Sequence, residues 1–493
     1  MKRLFVFVLT FVLAVSSVVT TLAWSYPASA ERHVSSDGEW EYILLDEGAV
    51  ISKYCGEGGD LVIPGTLGDK PVVGIGDYAF ECRASEQIRS VVVPEGVREI
   101  GERAFWECTS IESVTLPDTV TSIGNEAFYM CSSLKSFKFP ESALDLGSGI
   151  LSFCTSLKSV TLPSGMKTLP GGTFAMCHSL TDVELPEGLK RIGTSAFNEC
   201  MSLKSIRIPD TVSEIFGAAF TYCFELESIE IPEGVIQLYD MTFRKCSSLR
   251  TVTLPSTLNL IGPEAFDGCD NLEEVIYKKT LPTWWRIPKM GGNSPLYKAK
   301  IVCAEDPQTV DSTSVFTDVS RDSWFRESVD FMYTYGLMKG ISDRSFAPEA
   351  KTSRAMLVTI LWRIEGSPLY GESEFTDLTD DWYRDAVNWA YAKGIIKGIS
   401  STEFCPNEPL SREQIVTIMY RYSELINYDV RPRASLDSFP DREQVDDYAV
   451  AAMKWAIADG LIKGTVKDGS VYLDPLGEAT RAQVAAILQR RFS

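Results

Sequence analysis

Few side chains in this chain could carry catalysis. Only two histidines occur, His33 and His178. A Ser-His-Asp or Cys-His nucleophile, and most zinc chemistry, would have to use one of them. Cysteine is more plentiful, with twelve residues, and eight of these recur at one interval: Cys108, Cys131, Cys154, Cys177, Cys200, Cys223, Cys246 and Cys269, each 23 residues after the last. None forms the close CxxC pairs that a zinc site needs, so neither a metal nor a cofactor is expected. In an exported protein such a series invites a disulfide reading. Each of these cysteines, however, stands beside an inward-facing phenylalanine, and neighbouring coils in register place equivalent atoms only ~5 Å apart. A ladder of buried, reduced thiols acting as small apolar fillers is the plainer expectation, with occasional disulfides between coils as the alternative.

A second set of repeated groups lies further along. Aligning "GLMKG", "GIIKG" and "GLIKG" on Gly340, Gly398 and Gly464 places Trp324, Trp382 and Tyr448 16 residues upstream. Phe331, Trp389 and Trp455 fall nine residues upstream. Arg354 and Arg412 follow their glycines by 14 residues, whereas Arg481 follows by 17.

Two kinds of element must position these groups. From Val91 to Tyr277 one sentence repeats, with prolines at Pro94, Pro117, Pro140, Pro163, Pro186, Pro209, Pro232 and Pro255 in step with the cysteines. A fixed period between 20 and 50 residues marks a solenoid. In "LKSVTLP" Leu157, Val160 and Leu162 alternate with Ser159 and Thr161, which predicts a short strand, and Pro163 cannot continue the ladder. Ile192, Ala196 and Phe197 are expected inside, with Gly193 permitting a tight bend. The phenylalanine row (Phe105, Phe128, Phe174, Phe197, Phe220, Phe243, Phe266) is broken by Leu151, with Phe153 the expected filler. Short alternating runs from Trp40 to Ile75 read as strands that close the solenoid's open end. The outward strand positions, Thr115, Lys138, Thr161, Glu184, Arg207 and Glu230, form the possible binding face, although no aromatic anchors it.

Past residue 306 helical periodicity takes over in three units opening at Phe316, Phe375 and Phe439. Each contains a first helix, which Gly340, Gly398 and Gly464 are expected to stop, and a second helix N-capped by Ser353, Ser411 or Thr480. At the other end Lys2 and Arg3, the apolar run Leu4 to Leu22 and Ala28-Ser29-Ala30 predict a secretory signal peptide at residues 1–30, with an uncleaved anchor as the alternative. The balance of 47 basic against 67 acidic residues, net −20, argues against nucleic acid.

The repeat "SLxxVxLPxxVxxIGxxAFxxCxS" resembles the BspA-like leucine-rich repeats of bacterial surface proteins. That resemblance implies a parallel-strand solenoid, here residues 38–303 with capping segments, and a role in adhesion or protein binding. It also makes Trp284 to Cys303 similar to a degenerate last coil. After a linker at 304–315, the units 316–374, 375–438 and 439–493 resemble S-layer homology modules, through Phe316-Thr317-Asp318, Phe375-Thr376-Asp377 and Phe439-Pro440-Asp441 and the arginines of "TSRAM", "LSREQ" and "ATRAQ". The last position of that motif is Met356, Gln414 and Gln483 in place of the family's Glu, and is therefore not expected to be essential for binding.

What this second resemblance implies is an all-α triplet forming a pseudo-threefold spindle, whose grooves hold pyruvylated secondary cell-wall polysaccharide. Carried onto this chain, the glycan-binding residues are Asp318, Trp324, Gly340 and Arg354; Asp377, Trp382, Gly398 and Arg412; and Asp441, Tyr448, Gly464 and Arg481. The arginine would clamp the pyruvate carboxylate bidentately, the aromatic would face a sugar ring and the aspartate would accept from hydroxyls. The alternative is that each aromatic is core and each arginine pairs at a helix start. The expected whole is a non-catalytic, secreted surface protein whose partners are a wall polysaccharide and an unknown protein or glycan, with no nucleic acid and no membrane after signal cleavage. A structural S-layer subunit and an anchored exported hydrolase are the other readings, the latter opposed by the lack of an unassigned span long enough for a catalytic domain.

Overall fold

The computed structural model describes residues 30–81 and 87–492. The expected signal peptide lies outside the described residues, apart from Ala30. The chain divides into two compact units. One runs to Leu226 and takes in Lys245–Ser247; the other comprises Glu227–Arg244 and everything from Ser248 onward.

In the first unit most coils contribute two short strands, one to each of two parallel rows, and the regular coils pair in register with the equivalent residue one coil away. Ser136–Lys138 pairs with Ser159–Thr161, matching Phe137 to Val160. On the other row Ile100, Ile123 and Leu146 align in the same way. Leu157, Val160 and Leu162 are buried while Lys158 and Thr161 face out, as the alternation requires. The edge is closed by a hairpin. Trp40–Leu44 runs antiparallel to Ala49–Tyr54, which pairs in parallel with Lys70–Ile75, and that strand continues into the coil strand Glu99–Ile100.

Buried rings stack along this unit. Phe105 and Phe128 lie 5.0 Å apart with planes at 4°, and Phe197 and Phe220 lie 5.2 Å apart at 2°. Offset stacking of this kind adds about 0.5–1.5 kcal/mol per pair to the area buried. Leu151 interrupts the row and is itself fully buried, but Phe153 is not the filler. It is half-buried against Tyr129, and strand residue Phe137 packs edge-on against Phe128 at 5.0 Å instead. Gly193 also differs from expectation. It makes no unusual turn, yet a Cβ there would meet Gly171 N at 2.5 Å. The glycine is required because the preceding coil's backbone lies against it. The left-handed turn positions fall to residues such as Glu126 (φ 54°) and Met130 (φ 58°).

The ladder thiols do more than fill space. Cys131 Sγ donates to Phe105 O at 3.4 Å and Cys200 to Phe174 O at 3.3 Å, each reaching a carbonyl 26 residues earlier. Burial pushes these thiols well above the ordinary cysteine range.

The second unit opens with coils of the same kind, whose strands Ser228–Glu230, Thr251–Leu254 and Glu274–Tyr277 run parallel. Lys300–Cys303 adds a last strand in register with Glu274–Tyr277, so Trp284 to Cys303 does supply an irregular final coil. It is tied down by buried Asn293, whose amide nitrogen donates to Gly262 O at 2.8 Å and whose oxygen accepts from Phe266 N at 2.9 Å. Between these strands lies α1 (Leu281–Arg286). Residues 304–315 are anchored at both ends: Leu281 N donates to Asp306 Oδ1 at 2.7 Å, and Ser312 N to Asp330 Oδ1 at 2.8 Å.

Six further helices complete the second unit: α2 (Arg326–Thr334), α3 (Arg354–Ile364), α4 (Asp381–Ala392), α5 (Arg412–Leu425), α6 (Val450–Ala458) and α7 (Arg481–Phe492). Each unit of the sequence contributes one pair, but the helices pack across units, α3 on α4, α5 on α6 and α7 on α2. Their stop signals are Gly336, Gly394 and Gly460, with φ of 67°, 71° and 69°. Gly340, Gly398 and Gly464 lie four residues beyond, so the expectation that they end the helices is corrected. A Cβ on Gly340 would meet Ser342 O at 2.3 Å and the Phe316 ring at 2.7 Å, because a tight loop folds over that opening phenylalanine. In the third unit the span lengthened by three residues before Arg481 holds a hairpin, Thr465–Lys467 with Ser470–Tyr472.

Candidate functional site

The three helical units meet at their second-helix N-termini. Leu410 N donates to Thr352 O, Thr352 N to Ala479 O and Ala479 N to Leu410 O, at 3.0, 3.0 and 3.1 Å, a closed cycle of main-chain bonds. The caps expected there are present. Ser353 Oγ accepts from Met356 N, and Ser411 with Gln414 and Thr480 with Gln483 form reciprocal boxes. The substituted motif position therefore has a local task in two units, accepting the cap residue's own N–H, and Met356 cannot perform it.

Each arginine leaves its own unit. Arg354 donates through Nε to Phe404 O and through Nη2 to Lys397 O, both at 2.9 Å. Arg412 Nε donates to Leu473 O at 2.9 Å. Arg481 donates through Nε to Phe346 O at 2.8 Å and through Nη2 to Lys339 O at 2.7 Å. Arg412 and Arg481 are buried. Arg354 and Arg481 also lie over the rings of Phe404 and Phe346 at 4.7 Å. Burial lowers the pKa of all three guanidiniums, opposed by Asp377, by Asp474 with Asp441, and by Asp318 respectively. In Arg354 and Arg481 the Nε–Nη2 fork that a carboxylate would occupy is thus already spent on main chain.

The aspartates are equally engaged. Asp318 accepts from Phe346 N (2.9 Å), Ala347 N (2.8 Å) and Ser345 Oγ (2.7 Å). Asp377 accepts from Phe404 N and Cys405 N, and Asp441 from Leu473 N and Asp474 N. Each aspartate holds the loop whose carbonyl receives the preceding unit's arginine. The structure therefore brings the expected residues together in a shifted grouping: Arg354 with Asp377 and the Gly398 loop, Arg412 with the Asp441 loop, Arg481 with Asp318 and the Gly340 loop. Arg354 is also close enough to Tyr448 of the third unit to interact electrostatically.

The aromatics behave differently. Trp324 is 63% exposed, Trp382 48% and Tyr448 50%, whereas Trp389 and Trp455 are buried. The alternative of core aromatics is thereby ruled out for the first set. Tyr448 alone is tethered: its hydroxyl donates to Glu413 Oε1 at 2.8 Å, and Glu413 also accepts from Asp446 N at 3.1 Å. Sequence reasoning passed over Glu413. The signal was present, since Ala355 and Ala482 occupy the matching positions.

On the solenoid, Thr115, Lys138, Thr161, Glu184, Arg207 and Glu230 are all exposed. Several outward charges pair among themselves, Arg207 with Glu187, Lys135 with Glu112 and Lys278 with Glu230. Such exposed, solvent-screened pairs contribute little and do not make a recognition site by themselves.

Residues 73–183 and 168–284 match the BspA type leucine rich repeat region in six copies. Residues 315–355, 374–416 and 438–485 match the S-layer homology domain. The chain is a BspA-type repeat protein with three S-layer homology domains. Such domains are wall-anchoring modules, and the chain is accordingly a cell-surface protein. It is 30% identical over 183 residues to a surface-layer 125 kDa protein of Lysinibacillus sphaericus, covering 37% of this chain and 15% of that protein. It is 29% identical over 177 residues to an exoglucanase, XynX, of Acetivibrio thermocellus, covering 35% of this chain and 16% of the other. Among solved structures, a leucine-rich repeat protein of Bacteroides ovatus is 26% identical over 54% of this chain and 78% of its own, with a TM-score of 0.41.

Proposed function

We propose that the S-layer homology domains hold this protein non-covalently on a secondary cell-wall polysaccharide bearing pyruvate ketals, while the repeat solenoid displays a surface that recognises a protein or glycan. The reading is non-catalytic. The observation that carries it is the exposure of Trp324 and Trp382 at matched positions. An indole left in solvent at two equivalent sites is a flat apolar face available to a sugar ring. The closed cycle of contacts between the three domains is read as the pseudo-threefold arrangement, in which several modest clefts on one chain raise retention by avidity. With the Nε–Nη2 fork of Arg354 and Arg481 committed, ligand contact by the arginines falls to what remains of the guanidinium. Glycine backbone and aromatic ring carry the larger share.

Cosedimentation of the full chain with isolated cell walls tests this reading. Retention is expected, with release when pyruvyl groups are removed by mild acid. Binding that survives depyruvylation would remove the ketal from the account. The similarity to a surface-layer protein keeps one second reading, a lattice subunit, and formation of two-dimensional arrays by the purified chain would favour it.

A further inference from the structure

The three junctions between domains are not equivalent. Ala355 and Ala482 follow the arginine in the first and third domains, and both are fully buried. In the second domain Glu413 stands at that position, 2% exposed, with its carboxylate bonded to the Tyr448 hydroxyl at 2.8 Å. The Tyr448 aromatic is thus held by an acidic partner from the preceding domain, whereas the domain of Trp382 receives Arg354, which Ala355 follows, and the domain of Trp324 receives Arg481, which Ala482 follows. Asp446 is not the source of the difference, because Asp322 and Asp380 occupy its position two residues before the other aromatics. Arg354 and Arg421 both lie within electrostatic reach of Tyr448, and Arg354 directs Nε and Nη2 to the carbonyls of Phe404 and Lys397.

From this asymmetry we infer that the cleft at Tyr448 rejects the anionic glycan and that Glu413 is the residue that excludes it, leaving two clefts for binding. The reason is electrostatic and geometric together. A ligand carboxylate entering there would face a second carboxylate in a poorly solvated position, and like charges so placed repel. The tyrosine hydroxyl, which could otherwise serve a sugar, is already donated. Burial also raises the pKa of Glu413, while its bonds from Tyr448 and Asp446 N favour the ionised form.

The inference rests on the anchoring reading above, so its test separates the two. Full-length protein is titrated calorimetrically with a methyl glycoside bearing a 4,6-O-pyruvate ketal, and with the same glycoside lacking the ketal. Two equivalents of the ketal are expected per wild-type chain. Glu413→Gln keeps an acceptor for Tyr448 but removes the charge, and is expected to reveal a third equivalent by tightening that cleft on the order of tenfold or more. Glu413→Ala, the residue of the other two domains, is expected to do the same. Three equivalents in the wild type, or two in both variants with circular dichroism unchanged, would overturn the role of Glu413 and leave anchoring intact. Failure of the ketal to bind any cleft would overturn the pyruvate reading, and this inference with it. Equal binding of the ketal-free glycoside at two clefts would show that charge does not select the ligand, which also overturns it.

Discussion

The guanidinium of Arg481 donates to the carbonyl oxygen of Phe346, a residue 135 positions earlier in the chain. This bond fastens the third S-layer homology domain to the first. With Arg354 on the Phe404 carbonyl and Arg412 on that of Leu473, it makes every domain both donor and receiver. The arginines therefore have a structural task whatever they do for a ligand.

Arg412→Ala or Arg481→Ala is expected to destabilise the domain triplet by about 2–3 kcal/mol, since each leaves a buried carbonyl unpaired. Lysine at either position should restore only part of this, because one ammonium cannot reproduce a planar fork. Urea unfolding of the full chain, followed by tryptophan fluorescence, measures the loss. An unchanged midpoint would show the bonds to be dispensable.

Wall retention should separate from stability at the exposed rings. Trp324→Ala and Trp382→Ala are each expected to weaken retention on the order of tenfold, and the pair to abolish it, as loss of avidity requires. Circular dichroism should not change, because neither ring is core. Retention equal to wild type in the double variant would move binding elsewhere.

The ladder thiols should be chemically silent. Burial holds Cys131, Cys154 and Cys200 far above the ordinary thiol range, and the thiolate is the reacting form. Iodoacetamide on native protein should label the exposed Cys55 and leave Cys131 to Cys269 untouched until denaturant is added. Peptide mass mapping reads the outcome, and one labelled ladder cysteine in the native state would contradict it.

Two groups give opposite pH trends. Glu99 is raised to about 7 by burial and by Asp77 and Asp145. The folded state thus holds more protons than the unfolded between the ordinary value of 4.5 and about 7, and stability from this group falls as pH rises through that window. Lys289 is lowered from 10.5 to about 7, chiefly by burial. Here the unfolded chain holds more protons between about 7 and 10.5, so stability rises with pH. Glu99→Gln and Lys289→Met should each flatten one slope in thermal melts at stepped pH.

The architecture was legible because it is periodic. Equivalent residues of successive coils face one another, so a spacing of 23 in the sequence becomes a hydrogen-bonded register in space. What escaped reading was contact between residues with no such period. Phe137 filling the gap at Leu151, and Trp285 packed on Phe331, Tyr335 and Phe492, depend on packing that no spacing encodes. The glycines show the same limit. Gly336 and Gly340 stand four residues apart, and only the backbone angles tell which one ends the helix. Sequence neighbourhood groups each arginine with its own domain, whereas the arginine's length carries it into the following domain.

The cycle of Thr352, Leu410 and Ala479 also sets what the two halves of this protein can tolerate in evolution. A coil asks only for one neighbour on either side, so a solenoid can gain or lose coils and still present paired edges. A circuit that returns to its own beginning admits no such freedom: delete one member, or add a fourth, and two mating surfaces are left without their counterparts.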